Sequence, residues 1–103
     1  MLLTESLREI AAIQALESIS KDCVLGLDFA RIWSDWDDEG YDADVRPYIY
    51  RMRRLMEQAL KTDIRVLYGI KDPFGFAFLL YGVAFSVTYK VVGGGFYITY
   101  KKL

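Results

Sequence analysis

Apolar residues recur at helical spacing up to about residue 61 and at alternate positions after Ile64, so the chain changes period from 3.6 to 2 partway along. Ser6-Leu7-Arg8-Glu9 has capping-box form, in which the serine hydroxyl accepts an N–H freed at a helix start and the glutamate reaches back. Leu7, Ile10, Ala11 and then Ile13 or Gln14 follow, which predicts a first helix over Ser6 to Ser18. Ser20-Lys21-Asp22 breaks it. After Gly26, Asp28 is placed to cap a short second helix that turns Phe29, Ile32, Trp33 and Trp36 inward. An acidic run, Asp35, Asp37, Asp38, Glu39, Asp42 and Asp44, then predicts a loop around Gly40.

Asp44 is a plausible cap for a third helix, because Pro47 falls in its first turn, where a missing N–H breaks no intrahelical bond. Val45, Ile49, Met52, Met56, Ala59 and Leu60 form one stripe, with Arg46, Tyr50, Arg53, Arg54 and Glu57 on other faces. Thr62-Asp63 ends this helix. Branched and aromatic residues from Ile64 to Ile70 predict a strand, and Lys71-Asp72-Pro73-Phe74-Gly75 is turn chemistry. Phe76, Phe78 and Leu80 alternate, Gly82 resets the phase, and Val83, Phe85, Val87, Tyr89 and Val91 alternate again. Gly93-Gly94-Gly95 turns the chain into a last strand, Phe96 to Tyr100. The expected fold is α+β: three N-terminal helices and a C-terminal antiparallel meander in one domain over residues 1–103, with helices within 6–61 and strands within 64–101. The uncharged stretch Phe74 to Tyr89 is read as buried strands, since Gly75, Gly82, Ser86 and Thr88 interrupt it and a spanning helix needs about 20 apolar residues.

Composition narrows the chemistry. With 53% apolar residues in 103, the chain can bury a core without metal or cross-links, and a formal charge of −1 gives no global attraction to nucleic acid or anionic lipid. Electrostatic binding must therefore be local. There is no histidine, which removes Ser-His and Cys-His pairs and histidine metal sites; with one cysteine besides, no enzyme, cofactor or metal role is expected. Cys23 beside Val24 and Leu25 reads as a core thiol. The N-terminus lacks signal-peptide form, and a cytoplasmic protein is expected.

Charge is sorted by position, acids from Asp35 to Asp44 and arginines from Arg46 to Arg54, as on a surface that meets something charged. Asp35 to Gly40 invites comparison with a calcium loop, but the twelfth position of that register is Arg46 instead of a bidentate glutamate. The arginines can be DNA contacts, or a solvated face with pairs such as Arg53 and Glu57.

Element order adds a family likeness. Three helices leading into a hairpin resemble the winged helix-turn-helix effector domains of the OmpR/PhoB response-regulator type. Leu3-Thr4, Ile32-Trp33, the series Val45, Ile49, Arg51, Met52, Arg53, Met56, and Ile64-Arg65-Val66-Leu67-Tyr68-Gly69 fall in matching places. The residues from Gly75 onward extend past a normal wing. This resemblance implies a regulator that binds duplex DNA, with Arg46, Tyr50, Arg51, Arg53 and Arg54 as contacts and Lys71 at a wing tip. The alternative expectation is a small inhibitor, immunity or adaptor protein that docks a basic partner through Asp35, Asp37, Asp38, Glu39 and Asp42. Edge pairing through Phe96 to Tyr100 would make a homodimer.

Overall fold

The change of period separates two layers. In the computed structural model, which describes residues 4–103, α1 (Glu5–Ser20), α2 (Cys23–Glu39) and α3 (Arg46–Leu60) precede a sheet of β1 (Arg65–Lys71), β2 (Phe74–Leu80), β3 (Val83–Val92) and β4 (Gly95–Lys102). The four strands are antiparallel and lie in sequence order, as a meander. Leu3, part of the winged-helix likeness, lies outside the described residues.

All three helix starts differ from those the sequence suggested: Val45, not Asp44, is the N-cap of α3 and makes no side-chain cap, while Asp44, one residue earlier, accepts the Arg46 N–H at 3.0 Å. Thr4 caps α1, its Oγ1 accepting the Leu7 N–H at 3.3 Å, so Ser6 lies inside the helix. Asp22 caps α2, its Oδ1 accepting the N–H groups of Val24 and Leu25 at 3.0 and 3.1 Å, and Asp28 falls within the helix. A cap of this kind stabilises a helix by about 1 kcal/mol. It also places Cys23 in the first turn of α2, where it is exposed and not in the core. With α2 running to Glu39, the residues Asp35, Asp37, Asp38 and Glu39 are helical; of the acidic run only Asp42 and Asp44 lie in the connection to α3. Trp36 fixes that connection, stacking on Phe74 at 4.8 Å between ring centroids while its Nε1 donates to the Ala43 carbonyl at 3.2 Å.

The alternation of β2 puts Phe74, Phe76, Phe78 and Leu80 on one face, where Phe85 and Val87 of β3 and Ile98 of β4 join them. The helices cover this face with Ala12 and Leu16, Phe29 and Ile32, and Ile49, Met52 and Met56, all in one hydrophobic cluster. Burying a side chain of this size contributes roughly 1.5–3 kcal/mol. Ala59 of the expected stripe is exposed, while Leu60, one residue further along α3, still packs against the core. The other face of the sheet carries small and hydroxylated residues: Gly75 and Ala77 of β2 are buried, and Ser86, Thr88 and Thr99 beside them are half-buried. Tyr81-Gly82 and Gly93-Gly94 turn the two later hairpins with positive φ throughout, which matches the twist of paired strands. Phe74 to Tyr89 forms β2, its turn and most of β3, and no helix among the described residues is long and apolar enough to cross a membrane.

Candidate functional site

Gly69 lies in the middle of β1 because α3 begins directly above it. A Cβ at this position would come 2.9 Å from Val45 Cγ2 and 3.3 Å from Ile49 Cγ1, closer than side chains normally pack. Upstream, the register of β1 against β2 slips: Val66 faces Phe78 and Tyr68 faces Ala77, which leaves Leu67 as an extra residue with no partner. That bulge breaks the alternation and lets Leu67 line the same hollow as Val66. The result is a groove of about 370 Å³ between the first half of α3 and β1. Ile49 is buried at its base, with Val45 and Val66 half-buried beside it; Tyr50, Leu67 and Tyr68 stand exposed along its sides.

Arginines occupy the rim. Arg46 is held by Asp44, which accepts both its backbone N–H at 3.0 Å and its guanidinium at 2.7 Å. These hydrogen bonds hold the Asp44 carboxyl below the usual carboxylate range and push the Arg46 guanidinium above its own. Arg53 lies over the Tyr50 ring, 4.7 Å from its centroid, and Arg54 approaches the same ring at 5.8 Å. The Arg53 Nε is buried without a hydrogen-bond partner, its nearest carboxylate, Glu57, standing 3.7 Å away. Glu57 is itself occupied by the Ile64 N–H at 2.9 Å.

The structure distributes the predicted site residues over four places. Arg46, Tyr50 and Arg53 gather at the groove, with Arg54 beside them. Arg51 lies on the other side of α3 and bridges to Asp35 of α2 at 2.9 Å. Lys71 ends β1 against the α2–α3 connection, donating to the Tyr41 carbonyl at 3.0 Å and lying over the Tyr41 ring. Asp37, Asp38 and Glu39 are exposed in the last turn of α2, and no ion pair involves them or Asp42 among the described residues. Tyr48, half-buried near this end, has its hydroxyl pKa raised by burial and then by Glu39 and Asp35. No group of three or more metal-ligating side chains occurs among the described residues.

Sequence reasoning named the helical half of this site and missed the strand half. Val66, Leu67 and Tyr68 read as an ordinary strand, and the bulge left no mark in the pattern. Gly69 was the available signal, since an isolated glycine in a strand marks a bulge or a close approach. Compared with known protein families, curated proteins and solved structures, the chain matches none.

Proposed function

We propose that this is a small protein-interaction module of the adaptor or inhibitor kind, which engages its partner on the face made by α3 and β1. The observation that carries this reading is the groove: concave, apolar at its base, walled by Tyr50, Leu67 and Tyr68 and rimmed by arginines. Aromatic residues and arginine around a water-excluding hollow are the composition of protein-binding hot spots. Duplex DNA is the rival occupant of this face. A recognition helix needs side chains that protrude and are free to meet base edges and phosphates. Here the side chains frame a hollow with an apolar floor in place of a protruding ridge, Arg51 is tied to Asp35, and the exposed carboxylates of Asp37, Asp38 and Glu39 stand at the C-terminal end of α2.

A peptide library displayed on phage and selected on the folded protein, with a Leu67→Glu variant as counter-target, tests the reading. Leu67 is 42% exposed, so the substitution leaves the core intact, which circular dichroism checks. Selected peptides should bind the wild type and lose about tenfold or more in affinity for the variant. Retardation of a mixed-sequence duplex should be weak and unchanged by Arg46→Ala with Arg53→Ala. No groove-dependent peptide, together with duplex binding that those two substitutions abolish, would assign the face to DNA instead.

A further inference from the structure

The groove runs along an open sheet edge. β1 pairs only with β2 among the described residues, so alternate N–H and C=O groups along its other side have no strand to meet. Folded proteins usually protect such an edge with charge, proline or a covering element. The opposite edge, β4, is protected: α2 packs so closely on it that a Cβ on Gly26 would collide with the Phe96 carbonyl, and Lys101 and Lys102 end the strand. β1 has charge only at its ends, Arg65 and Lys71, and the run from Val66 to Ile70 between them is uncharged. Its bulge interrupts regular pairing ahead of Tyr68. A long flat strand from a second sheet would lose register there; a short segment would not.

Resting on the reading of this face as protein-binding, we infer that its occupant is an extended partner segment that joins the sheet at β1, inserts small apolar side chains into the groove and carries carboxylates at both ends. Main-chain hydrogen bonds to β1 supply affinity and the alternate side chains supply selectivity. Charge complementarity sets the carboxylates. Arg46 and Arg53 are two turns apart on α3, a separation of about 10 Å, which an extended chain covers in about three residues. The Arg46 side chain is 88% exposed and can turn from Asp44 to a partner carboxylate. Arg53 is only 31% exposed and is already anchored on Tyr50, so it offers its guanidinium at little further cost in side-chain freedom.

The probe is the capped peptide acetyl-Thr-Asp-Val-Val-Asp-Thr-amide, whose carboxylates stand three residues apart, compared with a counterpart carrying lysine in place of both aspartates and with a form N-methylated at alternate amides. Isothermal titration should show the acidic peptide binding about tenfold more tightly than the lysine peptide, a gap that narrows with salt or with Arg46→Ala and Arg53→Ala together. Exchange of those amide hydrogens between Tyr68 and Lys71 that face away from β2 should slow on binding, and N-methylation should abolish both effects. Equal binding of the N-methylated or the lysine peptide would overturn the inference. So would a groove-dependent peptide from the display selection that leaves the β1 amides unprotected, an outcome under which the protein-binding reading survives. Failure of both experiments would remove that reading as well.

Discussion

Tyr100 links the last strand to the first helix, its hydroxyl donating to the Glu17 carboxylate. That hydrogen bond, then burial and the nearby negative charge, push its pKa up from 10.0 to about 12. A tyrosine that ionises later in the folded chain than in the unfolded one adds stability that is complete below the unfolded pKa of about 10. The contribution disappears as pH rises through the folded value. Tyrosinate absorbance should therefore show a late step near pH 12 that Tyr100→Phe removes, and the stability difference between the two proteins should close above it. A variant that keeps the late step would place it on another ring, such as Tyr48 or Tyr89, whose pKa values are also raised by burial. Gly26 sets a second test at this scale. Alanine is the better helix former by about 1 kcal/mol, but its Cβ would meet the backbone of Phe96 and Tyr97, which cannot swing aside. Overpacking costs about 1–3 kcal/mol, so Gly26→Ala should lower the urea midpoint; a rise would mean that β4 yields more easily than its hydrogen bonding to β3 suggests.

Among the elements, the strands were the most legible. Alternation in β2 and β3 reflects one face that packs its large side chains against the helices, and Gly82 and the Gly93-Gly94 pair mark turns whose backbone demands are local. α2 was the least legible, for a reason that lies elsewhere in the chain. Gly26 reads as a helix breaker, whereas its lack of a side chain is what seats the helix on β4; nothing near it in sequence announces that partner. The acidic run read as a loop for a similar reason, since Trp33 and Trp36 keep the helical spacing going while the residues between them face water. The outcome is a helix with Asp37, Asp38 and Glu39 in its last turn and no basic residue there, opposed to the helix dipole. Replacing the three with Asn, Asn and Gln should raise stability by about 0.3 kcal/mol or more per residue, read from urea denaturation. If this end also docks a basic partner, the same variant should associate more slowly with it, chiefly at low salt. A variant that is less stable would show that these carboxylates have partners that their exposure conceals.

At the scale of the whole molecule, α+β order and a single core could be read from periodicity, while the site could be read only in half. The arginines of α3 marked a surface, but whether it is convex or hollow depends on the bulge at Leu67 and the bare backbone at Gly69, both products of strand pairing. The sorting of charge also proved to be partly internal. Asp35 with Arg51 and Asp44 with Arg46 join the acidic and basic stretches to each other, and exposed pairs of this kind contribute at most about 1 kcal/mol. Ile98 illustrates the same limit: in a terminal strand it looked available for edge pairing, yet its side chain is buried at 2% exposure, and a lysine there would disrupt the core before it reported on any dimer.

The seat of α2 on β4 has a further consequence for how the chain is made. Gly26 is synthesised early, and Phe96 and Tyr97, the backbone it rests on, come from near the other end of the sequence. Until those residues have cleared the ribosome, α2 lacks the strand it packs on most extensively, and its apolar side, with Phe29 and Ile32, is incompletely covered. Folding of this unit must then wait until β4 has been made, with the slow kinetics expected when the decisive contacts join distant parts of a chain. A nascent chain stalled short of β4 would be a substrate for chaperones and proteases, not a smaller version of the same fold.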